Sequence, residues 1–191
     1  MTYAPRRPPA FYALIGLGIV AATALVLLAM GQPIICRCGD VKLWQGEVMS
    51  AENSQHLVDW YSPSHLIHGL LFYALLWLTM RRRSFGLRAA IALLIESAWE
   101  ILENSPIIID RYREATISLG YRGDSVINSV SDIAFMLFGF WLAARLPIAV
   151  SIILVIVLEL AVGYMIRDNL TLNIIMLLYP IEAIKTWQAG G

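Results

Sequence analysis

Charged residues are scarce in this chain. Asp, Glu, Lys and Arg make up 15% of its 191 residues, whereas about 25% is typical of soluble domains. Basic and acidic residues balance at 14 each, so the chain has no net field that would attract nucleic acid. The scarcity of charge excludes an ordinary soluble domain, and its balance argues against a nucleic-acid-binding protein.

Cysteine is nearly absent as well, since Cys36 and Cys38 are the only two. Their C-x-C spacing is tight for a disulfide and incomplete for a zinc site. Spacing alone leaves two interpretations open. The pair is either structural, as a bridge or as free thiols, or it binds a metal or takes part in redox chemistry.

Apolar residues take the place of charge. Hydrophobic residues account for 59% of the chain and the mean hydropathy is +0.68, which is too apolar for the core of one soluble domain. Six segments approach the ~20 residues that cross a ~30 Å hydrocarbon core. We therefore predict one all-α domain over residues 1–191, a polytopic transmembrane bundle in a lipid bilayer. Its predicted spans cover about 10–30, 64–80, 85–104, 125–144, 148–166 and 170–187.

The distribution of lysine and arginine predicts the orientation of the bundle. Cytoplasmic flanks of membrane spans are enriched in these residues. Three consecutive arginines, residues 81–83, follow the second span directly, and Arg6 and Arg7 precede the first. We predict that both termini lie inside and that the outer loops cover 31–63 and 105–124. Ser50 is suited to cap a short helix within the first of these loops.

Ionisable residues interrupt the predicted spans at matching depths, although such residues are costly in lipid. A helix rises 1.5 Å per residue, so His68, Glu96 and Asp132 each lie about 18 Å from the cytoplasmic end of their span. Glu159 lies at roughly 16 Å on another span. Because they share a depth, we expect His68, Glu96 and Asp132 to face the bundle interior. Glu159 stands alone on its helix, and two roles stay open for it: a structural hydrogen bond or a place on a transport path.

Helical spacing extends this pattern towards the outer surface. Glu96, Glu100 and Glu103 follow i, i+4, i+7 spacing and share one helix face. Adjacent carboxylates in a low-dielectric site are either partly protonated or compensated by cations. Histidine nitrogens combined with carboxylate oxygens suit zinc, manganese or iron. The sequence therefore predicts a site for a divalent metal of open identity, formed by His65, His68, Glu96, Glu100 and Asp132.

Two further acids and two arginines lie near the predicted outer surface. Glu103 and Asp124 are suited to act as a general base beside a metal-bound water. Arg111 and Arg113 have the fork geometry that binds phosphate or carboxylate, and we predict that they bind the substrate. Structural roles stay open, as a helix N-cap for Asp124 and as surface ion pairs for the arginines.

Several polar strings in the middle of the chain resemble one family. They are Ser54-Gln55-His56, Asp59-Trp60-Tyr61-Ser62, Trp99-Glu100, Asp110-Arg111-Tyr112-Arg113 and Gly123-Asp124-Ser125. Over roughly residues 33–147 the chain resembles an uncharacterised bacterial inner-membrane family, a UPF-type domain of unknown function. The resemblance implies a multi-pass protein of the bacterial inner (plasma) membrane. The order of histidine, glutamate group and final Asp-x-x-x-Asn-x-x-x-Asp is more remotely similar to the VanZ-like group of small membrane proteins.

These observations support three hypotheses. The first is a metal-assisted hydrolase or transferase acting on a phosphorylated or lipid-linked substrate at the periplasmic face. The second is a transporter or binding protein for a metal ion or proton, in which the same acids line a pathway. The third is a structural or assembly subunit of a membrane complex, with Gly139 and Ala143 forming a small-residue packing face. The sequence does not define the oligomeric state.

Overall fold

Helices provide nearly all the regular structure of the computed structural model, which describes residues 7–116 and 120–190. Arg6 and residues 117–119 of the second predicted outer loop lie outside the described residues. Within them the sole β pairing is a bridge between Gln45 and Asp59, so the prediction of an all-α chain is confirmed. The helices are α1 Pro9–Ala29, α2 Ser62–Met80, α3 Phe85–Glu103, α4 Pro106–Ala115, α5 Val126–Ala143, α6 Ile148–Ile166, α7 Leu170–Leu178 and α8 Glu182–Gln188.

Four helices of the described chain are long and apolar enough to cross a membrane: α1, α2, α5 and α6. α1 and α6 leave most of their side chains exposed, Leu14 and Tyr164 among them, and so require apolar surroundings. α3 has the length of a span but is more polar, and it packs against α1, α2 and α5. The apolar helices are those of a membrane protein, although they number fewer than the six spans predicted.

The closest contact in the bundle joins α2 to α5 at two glycines. A Cβ added at Gly69 would lie 2.0 Å from the carbonyl oxygen of Met136, and one at Gly139 would lie 2.1 Å from that of Leu66. Only glycine lets two helix backbones approach this closely, so Gly139 does pack helices as predicted. Apolar side chains from α2, α3 and α5 form the core beside this crossing: Leu76, Ala92, Leu93, Ile133, Met136 and Phe140.

The contacts of α1 define the two ends of the bundle. Near its start, the hydroxyl groups of Tyr12 and Ser84 lie 3.2 Å apart, and Ser84 caps α3 by accepting the amide of Leu87. Beyond its last residue, the carbonyl oxygens of Pro33 and Ile34 accept amides from the first turn of α5, which have no partner within the helix. The α2–α3 turn with its arginines therefore marks one end, and the loop after α1 covers the other.

The segment predicted as a sixth span, 170–187, is not one helix. It divides into α7 and α8 on either side of Pro180. Proline lacks an amide donor and disfavours helical backbone in the preceding residue, and Tyr179 is extended, at φ −146° and ψ 94°. At 1.5 Å per residue, the two pieces are about 14 and 11 Å long. Neither can cross the bilayer, so this part of the prediction is wrong.

The C-terminal segment lies at the end of the bundle that carries the predicted outer loops. Lys185 donates to the carbonyl oxygen of Glu114 in α4 at 2.7 Å. Asp168 accepts the hydroxyl of Tyr61 at 3.2 Å and the side-chain amide of Gln188 at 3.1 Å. Five long helices precede this segment, and an odd number of traverses leaves the two termini at opposite ends. The structure therefore does not confirm the prediction that both termini lie on the same side.

Buried Asp168 makes the packing of this segment sensitive to pH. Burial raises the pKa of its carboxyl from 3.8 to about 6. Because folding favours the protonated form, the stability contributed by Asp168 is present at low pH and falls as the pH rises through about 6. From pH 5 to pH 8 we expect the free energy of unfolding of the wild type to fall by about 1.4 kcal/mol relative to that of Asp168→Asn. In thermal unfolding, this corresponds to a fall in melting temperature on the order of 3 °C. Parallel pH profiles of the two proteins would contradict this expectation.

The first outer loop contains turns in place of the helix predicted after Ser50. The hydroxyl of Ser50 accepts the amide of Glu52 at 3.1 Å, a local turn that competes with helix formation. Ser54 has a positive φ of 57°, which a right-handed helix does not accommodate. Asn128 of α5 donates to the carbonyl oxygen of His56 at 2.8 Å, so the loop is tied down by α5. The short helix of the outer loops is α4, in the second of them.

Candidate metal centre

The two histidines of α2 face one glutamate of α3. Nδ1 of His65 lies 2.6 Å from Oε1 of Glu96, and Nδ1 of His68 lies 3.1 Å from both oxygens of Glu96. Spacing of i, i+3 places both rings on the same helix face. A carboxylate that accepts both Nδ1 protons fixes the tautomer of each ring and leaves each Nε2 available to a ligand.

Glu100 of α3 and Asp132 of α5 lie beside the same histidine. Oε1 of Glu100 is 3.5 Å from Nδ1 of His65, and Oδ2 of Asp132 is 3.8 Å from Nε2 of His65. The structure therefore brings together the five residues predicted as metal ligands. We call them the His/carboxylate cluster: His65, His68, Glu96, Glu100 and Asp132.

Several carboxylate oxygens in and next to the His/carboxylate cluster have no hydrogen-bond partner among the described residues. They are both oxygens of Glu100, Oδ1 of Asp132 and Oε2 of Glu103, all of them buried. Buried polar atoms are normally paired, and leaving one unpaired costs about 1–3 kcal/mol. Carboxylate lone pairs that converge without donors are the surroundings that a bound cation stabilises.

Glu103, predicted as a general base, lies among the potential ligands. Donor atoms of His65, Glu100 and Glu103 all lie within 4.8 Å of one another, and so do those of His65, His68 and Glu96. Two ligand atoms of one ion, each with a bond of about 2.1 Å, lie at most ~4.2 Å apart. Small side-chain movements are therefore enough to bring these donor atoms to one metal ion. Oε1 of Glu103 lies 2.9 Å from the hydroxyl of Tyr112, which leaves Oε2 for the cation.

Asp124, the other predicted base, lines a small cavity together with members of the His/carboxylate cluster. We call this cavity the acidic chamber; its walls include Tyr61, His65, Glu103, Tyr121, Asp124 and Asp132. It offers about 20 Å³ to the centre of a water-sized molecule, and one water needs about 10–15 Å³. The acidic chamber thus has room for a cation or a water next to these acids.

The carboxylate of Asp124 is held by neighbours and does not cap a helix. It accepts the hydroxyl of Tyr121 at 2.9 Å and the side-chain amide of Asn104 at 3.2 Å, whereas Ser125 caps α5. Burial raises the pKa of Asp124 to about 7. A carboxyl group with this pKa is suited to exchange protons at neutral pH.

A second cavity opens beside the acidic chamber, and apolar side chains form part of its wall. This apolar vestibule offers about 160 Å³ to water-sized molecules, and Trp99, Leu170 and Ile174 contribute to its walls. His65 and Glu103 line both cavities. An apolar group in the apolar vestibule would therefore be next to the potential metal ligands.

Arg111 and Arg113, predicted to bind the substrate, line neither the acidic chamber nor the apolar vestibule. Nε of Arg111 donates to the carbonyl oxygen of Leu177 at 2.8 Å. Nε of Arg113 donates to that of Tyr121 at 2.5 Å, with Nη1 3.5 Å from Asp110. The two guanidinium groups connect α4 to the backbone at Leu177 and Tyr121. Their position gives no support to a role in substrate binding.

Glu159 of α6 does not join the acids that share its depth. Its carboxylate accepts the amides of Leu170 and Thr171 at 3.1 and 3.0 Å. These amides belong to the first turn of α7, where a negative charge also favours the helix dipole. Glu159 therefore stabilises the start of α7, which is a structural role of the kind that the sequence left open.

Several polar residues of the acidic chamber have no role that the sequence predicts. Tyr61, Tyr112, Tyr121 and Asn173 all contribute to its walls. Tyr112 lies between two arginines and Asn173 interrupts an apolar run, so both carried a local signal. Their convergence nevertheless depends on contacts between α4 and α7, such as the 3.0 Å distance from the Tyr112 hydroxyl to Asn173 Oδ1.

Comparison with known proteins finds one family along most of the chain. The profile of a family described as "Protein of unknown function (DUF2585)" matches residues 27–190. A UPF0314 protein of Paracoccus denitrificans is 60% identical over 172 residues, covering 90% of this chain and 89% of the relative. UPF0314 proteins of Rhizobium etli and Novosphingobium aromaticivorans are 53% and 56% identical, covering 96% and 91% of this chain and 94% and 90% of the relatives. No solved structure matches the chain.

Proposed function

Since the chain belongs to the family described as "Protein of unknown function (DUF2585)", we propose a function from its geometry: a metal-dependent hydrolase or transferase. It acts on a phosphorylated or lipid-linked substrate at the periplasmic face of the bacterial inner membrane. One observation carries the proposal. Buried oxygens of Glu100, Glu103 and Asp132 converge without hydrogen-bond donors, beside two histidines that a carboxylate orients.

The donor set supports a divalent transition metal. Imidazole combined with carboxylate suits zinc, manganese or iron. Glu96 orients both rings through Nδ1, in the way that supporting carboxylates orient histidine ligands. Glu100, Glu103 and Asp132 supply oxygens beside His65. A metal held there lowers the pKa of a bound water to about 7 and so supplies a nucleophile.

Asp124 is the residue that we assign to proton transfer. It lines the acidic chamber together with His65 and Asp132, within reach of a water bound there. Its pKa of about 7 allows it to accept a proton from the attacking water and to return it to the leaving group. The Tyr121 hydroxyl and the Asn104 amide hold its carboxylate in place.

The apolar vestibule supports a substrate with a lipid part. Trp99 of α3 and Leu170 and Ile174 of α7 provide apolar walls next to His68. Ligand sites commonly combine such walls with a few polar groups that orient the reacting end. A hydrocarbon chain along α3 and α7 matches the apolar vestibule, with the phosphate next to His65 and Glu103, which line both cavities.

Three arginines at the end of the bundle opposite the acidic chamber support the proposed orientation of the protein in the membrane. Residues 81–83 directly follow α2, and positive charge next to a span favours the cytoplasmic side. Lys185 lies at the other end, with the outer loops, so the assignment depends on this arginine run. With the arginine run on the cytoplasmic side, the acidic chamber lies in the periplasmic half of the bilayer under this proposal.

The two alternative hypotheses have less support. Transport requires a polar path through the whole bundle, whereas the described side chains between the His/carboxylate cluster and the arginine end include the apolar core of Leu76, Leu93 and Phe140. A purely structural role predicts polar side chains that bond to one another. The unpaired oxygens of Glu100 do not fit that role.

Hydrolysis of lipid phosphates tests the proposal. We expect the purified protein, supplied with zinc or manganese, to release phosphate from phosphatidic acid or a polyprenyl diphosphate in mixed micelles. Asp124→Asn should lower kcat about 10²–10⁴-fold without lowering metal content. The exposed Asp40 provides the control, since Asp40→Asn should keep full activity. Absence of metal-dependent turnover, or equal rates for the wild type and Asp124→Asn, would count against the proposal.

A further inference from the structure

The two cysteines lie apart from the acidic chamber, in the loop between α1 and α2, where they form a disulfide. Cys36 is buried and Cys38 is exposed. The bridge joins residues two positions apart, and the constraint that a disulfide places on the unfolded chain decreases as its loop shortens. Stabilisation of the fold is therefore a weak reason for this pair.

The surroundings of the disulfide favour sulfur chemistry over metal binding. Cys36, Cys38, Glu52 and His56 each offer a donor atom within 4.8 Å of the others. The lone pair of His56 Nδ1 is already occupied, because it accepts the amide of Lys42 at 3.2 Å. Nε2 of His56 lies 3.0 Å from Glu52, which also pairs with the Lys42 ammonium. A metal would have to displace these partners.

The two sulfur atoms differ in the way that thiol–disulfide exchange requires. Sγ of Cys38 belongs to an exposed residue, so an external thiolate can reach it. Sγ of Cys36 accepts the amide of Cys38 at 3.1 Å, and a hydrogen bond of this kind stabilises a departing thiolate. The cleft in front of the pair is also lined by Asn53 and Tyr121, which line the acidic chamber as well.

We propose that Cys36 and Cys38 form a redox-active disulfide that oxidises a dithiol at the outer end of the bundle. A thiolate of the dithiol attacks Sγ of Cys38, the bond between the two cysteines breaks, and Cys36 leaves as a thiolate that takes a proton from water. The second thiol of the substrate then attacks the mixed disulfide and releases Cys38. The substrate loses two electrons and two protons, and both cysteines become thiols.

Thiol trapping on the full-length protein in detergent tests this proposal, with dithiothreitol as the dithiol. The wild type should oxidise one equivalent of dithiothreitol, and it should pass reversibly between disulfide and dithiol across mixtures of reduced and oxidised glutathione. A bridge that stays oxidised in every glutathione mixture is structural and would overturn the proposal. So would two cysteines that do not form a bridge in the purified protein.

The assignment of Cys38 as the attacked sulfur has its own test. Cys36→Ser leaves the exposed Cys38, and Cys38→Ser leaves the buried Cys36. Because oxidised glutathione must reach the sulfur, Cys38 should react about tenfold faster, although the thiolate of Cys36 is the one stabilised by a hydrogen bond. In unfolded protein the two rates should be similar. Peptide mass analysis of the wild type, quenched during reduction by glutathione, gives the same information without a variant. Glutathione found mainly on Cys36 would overturn the assignment.

Discussion

Gly139→Ala is expected to lower the melting temperature on the order of 5 °C and to weaken metal binding, although Gly139 touches no ligand. The added Cβ would lie 2.1 Å from the carbonyl oxygen of Leu66 and 3.2 Å from its Cα. Backbone atoms cannot rotate away as a side chain can, so α2 and α5 must separate by about 1 Å. Over-packing of this kind typically costs about 1–3 kcal/mol.

The same separation reaches the metal ligands, because α2 carries His65 and α5 carries Asp132. Metal–ligand distances tolerate only about ±0.2 Å, so metal affinity should fall along with stability. Gly18→Ala is the matched control, since its Cβ would meet nothing within 4 Å and alanine is the better helix former. Thermal unfolding with and without metal measures both effects. A variant at Gly139 that melts and binds metal like the control would contradict the packing described here.

Glu100→Gln is expected to have opposite effects on the metal-free and the metal-bound protein. Without metal, the buried carboxyl oxygens of Glu100 have no hydrogen-bond partner, and Asp132 and Glu103 are its acidic neighbours. The amide of the variant can donate hydrogen bonds to these acids, so stability should rise by about 1–3 kcal/mol. With metal, the variant lacks a ligand and should lose the stabilisation that metal gives.

Thermal unfolding in chelator and in excess metal separates these two effects. At a metal concentration of 100 times Kd, the wild type should gain about 2.7 kcal/mol, whereas Glu100→Gln should gain almost nothing. Glu47→Gln makes the same chemical change at an exposed residue outside both cavities and should behave like the wild type. A Glu100→Gln protein that keeps the full metal response, or is less stable in chelator, would contradict the proposed role.

Local chemistry in the sequence predicted most of the helices. The five long helices begin and end within two residues of the predicted limits, because apolar length and nearby caps such as Ser84 and Ser125 are local properties. The family resemblance is confirmed for the same reason, since long polar strings are specific. The remoter similarity to VanZ-like proteins stays a prediction.

Depth and helical spacing also predicted which residues approach one another. His68, Glu96 and Asp132 belong to three different helices, and their equal distances from the helix ends predicted that they lie at one level. Glu159 shares this depth but does not join the His/carboxylate cluster, because depth does not define the direction of a side chain around the bundle. Its helix, α6, turns that carboxylate to the start of α7.

The sequence did not predict two features that depend on hydrogen bonds between distant residues: the position of segment 170–187 and the contacts of Arg111. The apolar run 170–187 has the composition of a span, and the contact of Asp168 with Tyr61 across 107 residues places it at the outer end. Arg111 carries the charge of a phosphate ligand, but its guanidinium donates to Leu177, 66 residues away. Neither partner is apparent from the residues nearby.

The metal content of the purified protein tests the central claim most directly. Elemental analysis of the wild type, supplied with zinc, manganese and iron during purification in detergent, should find about one divalent ion per chain. The ion should be absent from a variant that combines His65→Ala, Glu100→Gln and Asp132→Asn, and it should be present in Glu47→Gln. A folded wild type without a stoichiometric ion, indistinguishable from the triple variant, would contradict the assignment of a metal to the His/carboxylate cluster.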